Sequence, residues 1–128
     1  MTESTGSVKK KILIVEDNES LRLSLKVAFE GSGLEVFVAG DGRAALDAAE
    51  ERTPDLVLLD LFIPEPDGFQ VLTHLRADRR THDTPVIIFS VLSQPEDKDK
   101  AMALGANDYF VKSEMSIADV VARVGGYF

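Results

Sequence analysis

The chain has 128 residues, 45% of them hydrophobic and 28% charged, which predicts one globular domain. Cysteine is absent, so disulfide frameworks, thiol catalysis and cysteine-ligated zinc are excluded. Fourteen basic residues against twenty-two acidic ones leave a formal charge of −8, which argues against direct nucleic-acid binding.

The first residues are mostly small and polar. Residues 1–9 are predicted to be a disordered leader, followed by a folded domain over residues 10–128. The leader lacks the apolar stretch of a signal peptide, and no apolar run elsewhere is long enough to cross a membrane. We therefore expect a cytoplasmic protein that does not bind membranes.

Beyond the leader, short apolar runs alternate with helical patterns. The predicted strands are residues 12–15, 34–38, 56–59, 86–89 and 109–111. Asn18 is the predicted cap of the first helix, and Ser93 and Glu96 have the spacing of a capping box that starts the fourth. Five strand–helix pairs with short links predict a parallel sheet with helices on both faces, which is a doubly wound α/β domain.

Four of the five predicted strands end on polar or ionisable residues. These are Glu16 and Asp17 after the first strand, Asp60 after the third, Ser90 after the fourth and Lys112 after the fifth. In open parallel sheets, ligands bind outside the carboxyl ends of the strands. We therefore interpret these residues as one candidate site.

The chemistry of this set favours phosphoryl transfer. Three converging carboxylates repel one another, and a hard cation that prefers oxygen ligands, such as Mg²⁺, relieves that repulsion. Lys112 then provides a point charge for a phosphoryl group, and the Ser90 hydroxyl provides a neutral donor. Because the sequence has no P-loop motif to hold a nucleotide, a carboxylate is predicted to accept the phosphoryl group itself.

These residues resemble the receiver domain of two-component response regulators, the family that includes the chemotaxis regulator CheY. The resemblance covers residues 10–128. It depends on Glu16-Asp17, on the stretch Asp60-Leu-Phe-Ile-Pro-Glu-Pro-Asp-Gly68, which is similar to D-x-x-M-P-x-x-D-G, on Ser90, and on Gly105-Ala-Asn-Asp-Tyr-Phe-Val-Lys112. It implies a flavodoxin-like fold with strand order 2-1-3-4-5.

The resemblance also assigns a chemical role to each acidic residue. Asp60 is implied to be the phosphoacceptor, supplied by a sensor histidine kinase, a phosphotransfer protein or a small phosphodonor. Glu16 and Asp17 are implied to hold Mg²⁺ together with Asp60 and the backbone carbonyl of Phe62. Lys112 is implied to pair first with the aspartate and then with the phosphoryl oxygens.

A conformational switch is implied as well. Ser90 is expected to move toward the phosphoryl group while Tyr109 changes rotamer inward. That movement alters the face formed by helix 4, strand 5 and helix 5, where a downstream protein binds. The chain is thus expected to be a signalling module, not an enzyme, although it takes part in its own phosphorylation and slow autodephosphorylation.

Several positions depart from the family pattern. Ser113 replaces the usual proline after the lysine, so the preceding peptide is either trans or a strained cis bond. Val91 stands where the family favours a small residue and is expected to narrow access to Asp60. Phe62 and Leu92 are expected to shield an acyl phosphate from water.

Two alternatives stay open. A degenerate receiver would act as a phosphate-independent interaction domain, a hypothesis that depends on Val91 and Ser113. An aspartyl-phosphate phosphatase or phosphotransferase of the haloacid-dehalogenase type would need a second aspartate two residues after the nucleophile, where this chain has Phe62.

The remaining polar residues have simpler interpretations. His74 and His82 are predicted to be surface residues. Arg76, Arg79 and Arg80 are interpreted as a solvated helix end.

Overall fold

The computed structural model describes residues 8–128. The strands are β1 (Lys11–Val15), β2 (Glu35–Ala39), β3 (Leu56–Leu59), β4 (Val86–Ser90) and β5 (Asp108–Val111), and the helices are α1 (Glu19–Gly31), α2 (Gly42–Arg52), α3 (Gly68–Ala77), α4 (Pro95–Ala103) and α5 (Ile117–Gly125). Of the predicted leader, residues 1–7 lie outside the described residues, and the last two have no regular secondary structure. Within the described part of the chain, no helix is long and apolar enough to cross a membrane.

All five strands are parallel, in the order β2-β1-β3-β4-β5. This order confirms the doubly wound α/β prediction. Ile14 of β1 pairs with Leu58 of β3, and Leu58 pairs with Ile87 of β4, so the three central strands are in register. Their carboxyl ends therefore lie side by side at one edge of the sheet.

The sheet separates two apolar layers, which explains the continuous apolar runs in the sequence. Leu13 and Val15 of β1 belong to the core cluster on the side of α2 and α3, whereas Ile12 and Ile14 belong to the cluster on the side of α1 and α5. Phe29 of α1 is fully buried in the second cluster. Both faces are thus filled by apolar packing, and three of the four buried polar residues in the described part of the chain, Glu16, Asp60 and Ser90, lie at the strand ends.

Helix α1 begins as predicted, whereas α4 does not. The Asn18 side chain accepts a hydrogen bond from the backbone N–H of Leu21 (2.9 Å). The predicted capping box at Ser93 is wrong: α4 begins at Pro95, and its N-cap is Gln94, which makes no side-chain capping bond. The fixed φ of proline suits the first helical position, which moves the cap one residue beyond Ser93.

The interpretation of Arg76 as part of a solvated helix end is also wrong. Its guanidinium is partly buried and donates to the carbonyls of Gly105, Thr81 and Thr84 and to the side-chain oxygen of Asn107. Arg79 and Arg80 are exposed, and so are His74 and His82, as predicted. Arg76 therefore ties the end of α3 to the loops before β4 and β5.

Candidate functional site

The three acidic residues at the strand ends meet. One carboxylate oxygen from each of Glu16, Asp17 and Asp60 lies within 4.8 Å of the other two. Glu16 and Asp60 are buried and Asp17 is exposed. The backbone N–H of Asp60 donates to the carbonyl of Val15 (3.0 Å), which holds the end of β3 against the end of β1. The structure thus brings together the three acidic residues that the sequence placed at one edge.

Lys112 reaches into this cluster from the end of β5. Its ammonium donates to Glu16 Oε1 (2.6 Å) and to Asp60 Oδ2 (2.8 Å). The lysine side chain is 15% exposed, whereas those of Glu16 and Asp60 are 2% and 4% exposed. One cation therefore bridges two buried carboxylates.

Burial and neighbouring charges shift the pKa values of Glu16 and Lys112 in opposite directions. Burial is the main reason that the pKa of Glu16 is raised, and the hydrogen bond from Lys112 opposes it. For Lys112, burial favours a lower pKa, but the hydrogen bonds to Asp60 and Glu16 outweigh it and the pKa is raised. Lys112 is therefore held in its charged form.

The donor set fits a magnesium ion. Three carboxylates and one ammonium leave a formal excess of two negative charges, equal in size to the charge of one divalent cation. All donors are hard oxygens, and the exposed position of Asp17 leaves one side of the cluster open to solvent. The Phe62 peptide lies against the cluster because its N–H donates to Asp60 Oδ1 (3.0 Å). Its carbonyl as a ligand stays a prediction.

Ser90 and Tyr109 are linked through Leu92. The buried Ser90 hydroxyl oxygen accepts from the Leu92 N–H (3.3 Å), and the Tyr109 hydroxyl donates to the Leu92 carbonyl (2.6 Å). Tyr109 is 8% exposed, and burial is the main cause of its raised pKa. The tyrosine ring is thus buried, with its hydroxyl on the β4–α4 loop, and its change of rotamer stays a prediction.

Two apolar side chains beside the site face solvent. Phe62 is 69% exposed and Val91 is 58% exposed. A shallow cavity of about 260 Å³ is lined by Asp17, Phe62, Ile63 and Pro64, next to the acidic cluster. This cavity lies beside the β3–α3 loop.

The loops around the site are closely packed. Gly68, at the start of α3, has no room for a β-carbon, which would lie 2.4 Å from the carbonyl oxygen of Asp60.

The peptide bond between Lys112 and Ser113 is trans, which answers the question that the sequence left open at this position. It lies in a short 3₁₀ turn (Lys112–Glu114).

Arg22 also contacts the site, although its sequence position did not predict this. This residue of α1 lies one turn after the Asn18 cap, and its Nη1 donates to the carbonyl of Glu16 (3.0 Å) and, at 3.5 Å, to that of Asp17. An arginine near the start of a helix is ordinary in sequence. Only the folded loop shows its contact with the acidic residues.

Comparison with known proteins agrees with this geometry. The sequence profile described as "Response regulator receiver domain" matches residues 12–124. The chain is 39% identical over 120 residues to the transcriptional regulatory protein PrrA of Mycobacterium tuberculosis, covering 94% of this chain and 50% of that protein. It is 38% identical over 117 residues to the alkaline phosphatase synthesis transcriptional regulatory protein PhoP of Bacillus subtilis, covering 91% and 48%. The chain thus spans about half the length of the curated relatives it matches.

Solved structures give the same result. The chemotaxis protein CheY4 of Vibrio cholerae matches with a TM-score of 0.88 and 26% identity, covering 94% of this chain and all of that one. The receiver domain of the Francisella response regulator 1452 matches with a TM-score of 0.84 and 32% identity, covering 93% and 96%. This chain belongs to the response regulator receiver domain family.

Proposed function

We propose that Asp60 accepts a phosphoryl group from a histidine kinase, a phosphotransfer protein or a small phosphodonor. The observation that carries this proposal is the bridge from Lys112 to Glu16 and Asp60. It places a fixed positive charge beside a buried carboxylate, where negative charge gathers during phosphoryl transfer. We assign the receiver domain to residues 10–128.

In the proposed reaction, a carboxylate oxygen of Asp60 attacks the phosphorus atom. The new oxygen–phosphorus bond forms as the bond to the donor nitrogen breaks, and the electron pair stays on the donor imidazole. Glu16, Asp17 and Asp60 would hold Mg²⁺, assisted by the Phe62 carbonyl. The bound ion supplies electrostatic stabilisation of the phosphoryl oxygens. Lys112 stays charged and contacts those oxygens next.

The phosphorylated side chain of Asp60 carries more negative charge than the free carboxylate. An added phosphoryl group contributes a further charge and strong acceptor oxygens, which attract hydroxyl donors. Turning toward it, the Ser90 hydroxyl would release the Leu92 N–H, while Tyr109 holds the Leu92 carbonyl. We propose that this rearrangement of the β4–α4 loop changes the face formed by α4, β5 and α5, which binds a downstream protein.

The signalling role is non-enzymatic, as expected of a relative of transcriptional response regulators. We propose that slow autodephosphorylation resets the domain and that Phe62 and Leu92 limit it by shielding the acyl phosphate. In Phe62→Asn, the amide admits water, so the phosphoryl group should be lost several-fold faster. An equal or longer lifetime in that variant contradicts the shielding role.

The proposal is tested by incubation with Mg²⁺ and acetyl phosphate, followed by intact-protein mass spectrometry. Wild type should gain one phosphoryl group, and Asp60→Asn should gain none. Failure of wild type to gain it in the presence of a phosphodonor favours a phosphate-independent binding domain. Multiple turnover of small phosphate esters favours the phosphatase alternative.

A further inference from the structure

The loop between β1 and α1 presents two of the three acidic residues, Glu16 and Asp17. The Glu16 N–H is paired with the Ala39 carbonyl of β2 (3.0 Å), which holds the start of the loop. The carbonyls of Glu16 and Asp17 receive the Arg22 guanidinium instead. One nitrogen of a partly buried side chain thus contacts the backbone of both residues.

The end of β2 makes room for this guanidinium. A β-carbon on Gly40 would lie 3.1 Å from Arg22 Nη1, closer than ordinary van der Waals contact. The absence of a side chain at Gly40 therefore leaves room for the guanidinium beside the strand end. Within residues 8–128, Arg22 forms no salt bridge with a carboxylate, so its hydrogen bonds to the loop carbonyls are what hold it in place.

We propose that Arg22 is a positioning residue: it holds the backbone of Glu16 and Asp17 so that their carboxylates are preorganised for a divalent cation. The inference rests on the proposed function, since it assumes that the acidic cluster binds Mg²⁺. Groups that hydrogen-bond to metal-ligating residues and fix their orientation affect metal affinity strongly, even though they do not contact the ion.

A positioning role and a simple charge effect predict opposite changes in Mg²⁺ affinity when Arg22 is removed. Arg22 carries a positive charge on the backbone of two proposed metal ligands. If charge alone mattered, removing it would strengthen Mg²⁺ binding. If Arg22 positions the loop, removing it weakens Mg²⁺ binding despite the lost repulsion.

The experiment measures the Mg²⁺ dissociation constant by titration calorimetry in the unphosphorylated protein. Arg22→Met should weaken binding about tenfold. Lys26→Met is the charge-matched control, because Lys26 lies one turn further along α1 in an exposed pair with Glu30. It should leave the constant within about twofold of wild type, as expected for a screened surface charge.

Gly40→Ala provides a second variant that keeps the positive charge. Its new methyl group displaces the guanidinium by a few tenths of an ångström, and Mg²⁺ binding should fall between that of wild type and Arg22→Met. If Arg22→Met does not fold, the Mg²⁺ affinity of Gly40→Ala tests the proposal instead. Hydrogen exchange at the Asn18 amide, which donates to Glu16 Oε2 (3.1 Å), should accelerate in both variants.

Three results would overturn the inference while leaving the proposed function intact: unchanged Mg²⁺ binding in Arg22→Met with only a loss of stability, tighter binding in that variant, or equal weakening in Lys26→Met. Absence of Mg²⁺ binding in wild type would overturn the inference and the proposed function together.

Discussion

Removal of the Lys112 ammonium is expected to destabilise the protein strongly in metal-free buffer. In Lys112→Met the apolar stem is kept, but the buried carboxylates of Glu16 and Asp60 lose their shared partner. Each lost pair, at 2.6 and 2.8 Å, is worth about 6 kcal/mol by Coulomb's law at an effective dielectric constant near 20. Desolvation of the ammonium offsets much of that, so we expect a net loss of about 4 kcal/mol, within the range seen when one partner of a buried pair is removed.

The assay is urea unfolding in the presence of EDTA, with the same variants repeated in excess Mg²⁺. Lys26→Met, which breaks an exposed pair, should cost less than about 0.5 kcal/mol. Asp60→Asn leaves Glu16 as the one buried carboxylate that contacts Lys112. In the Asp60→Asn background, the loss of unfolding free energy caused by Lys112→Met should be at least about 1 kcal/mol smaller than in wild type, because the two sites are coupled.

Mg²⁺ gives a further check on the same variants. A ligand that binds only the folded state stabilises it in proportion to its affinity. Because Lys112→Met leaves Glu16 and Asp60 without their shared cation, Mg²⁺ should raise its free energy of unfolding more than that of wild type. The reasoning is refuted if Lys112→Met loses less than about 1 kcal/mol, or if its cost is the same in the Asp60→Asn background.

Two further predictions concern the close packing at Gly68 and the partly buried guanidinium of Arg76. Gly68→Ala should destabilise the protein by about 2 kcal/mol or more and slow phosphorylation of Asp60, because its methyl group would lie 2.4 Å from backbone atoms. Gly31→Ala, whose methyl group has no atom within 4 Å, should be neutral or slightly stabilising. Equal urea midpoints for the two variants would contradict this reasoning. Arg76→Met should lower the free energy of unfolding by about 3 kcal/mol, because it leaves partly buried carbonyls unpaired, and it should leave phosphorylation unchanged. The exposed Arg79→Met should change the free energy of unfolding by less than about 0.5 kcal/mol, as measured for both variants by urea unfolding.

The sheet and the acidic cluster were predictable because both depend on local patterns. Each central strand is a short apolar run that ends on a polar residue, and parallel strands bring their carboxyl ends to one edge. Glu16 and Asp60 therefore meet although 44 residues separate them in the sequence. The family resemblance added the strand order.

Contacts that depend on the path of loops were not predictable. Arg76 pairs with the carbonyl of Gly105, 29 residues away, and nothing in a run of arginines distinguishes the one that turns inward. The Leu92 peptide links Ser90 and Tyr109 through its backbone groups, which any residue type would supply. The same holds for Arg22, whose partners are backbone carbonyls.

The central claim is that the Asp60 carboxylate forms an acyl phosphate. The most direct measurement treats the phosphorylated protein with hydroxylamine, which converts an acyl phosphate to a hydroxamate, and locates the product by peptide mass spectrometry. We expect release of the phosphoryl group and formation of one hydroxamate, at Asp60. A phosphoryl group that resists hydroxylamine, or a hydroxamate at Glu16 or Asp17, would contradict it.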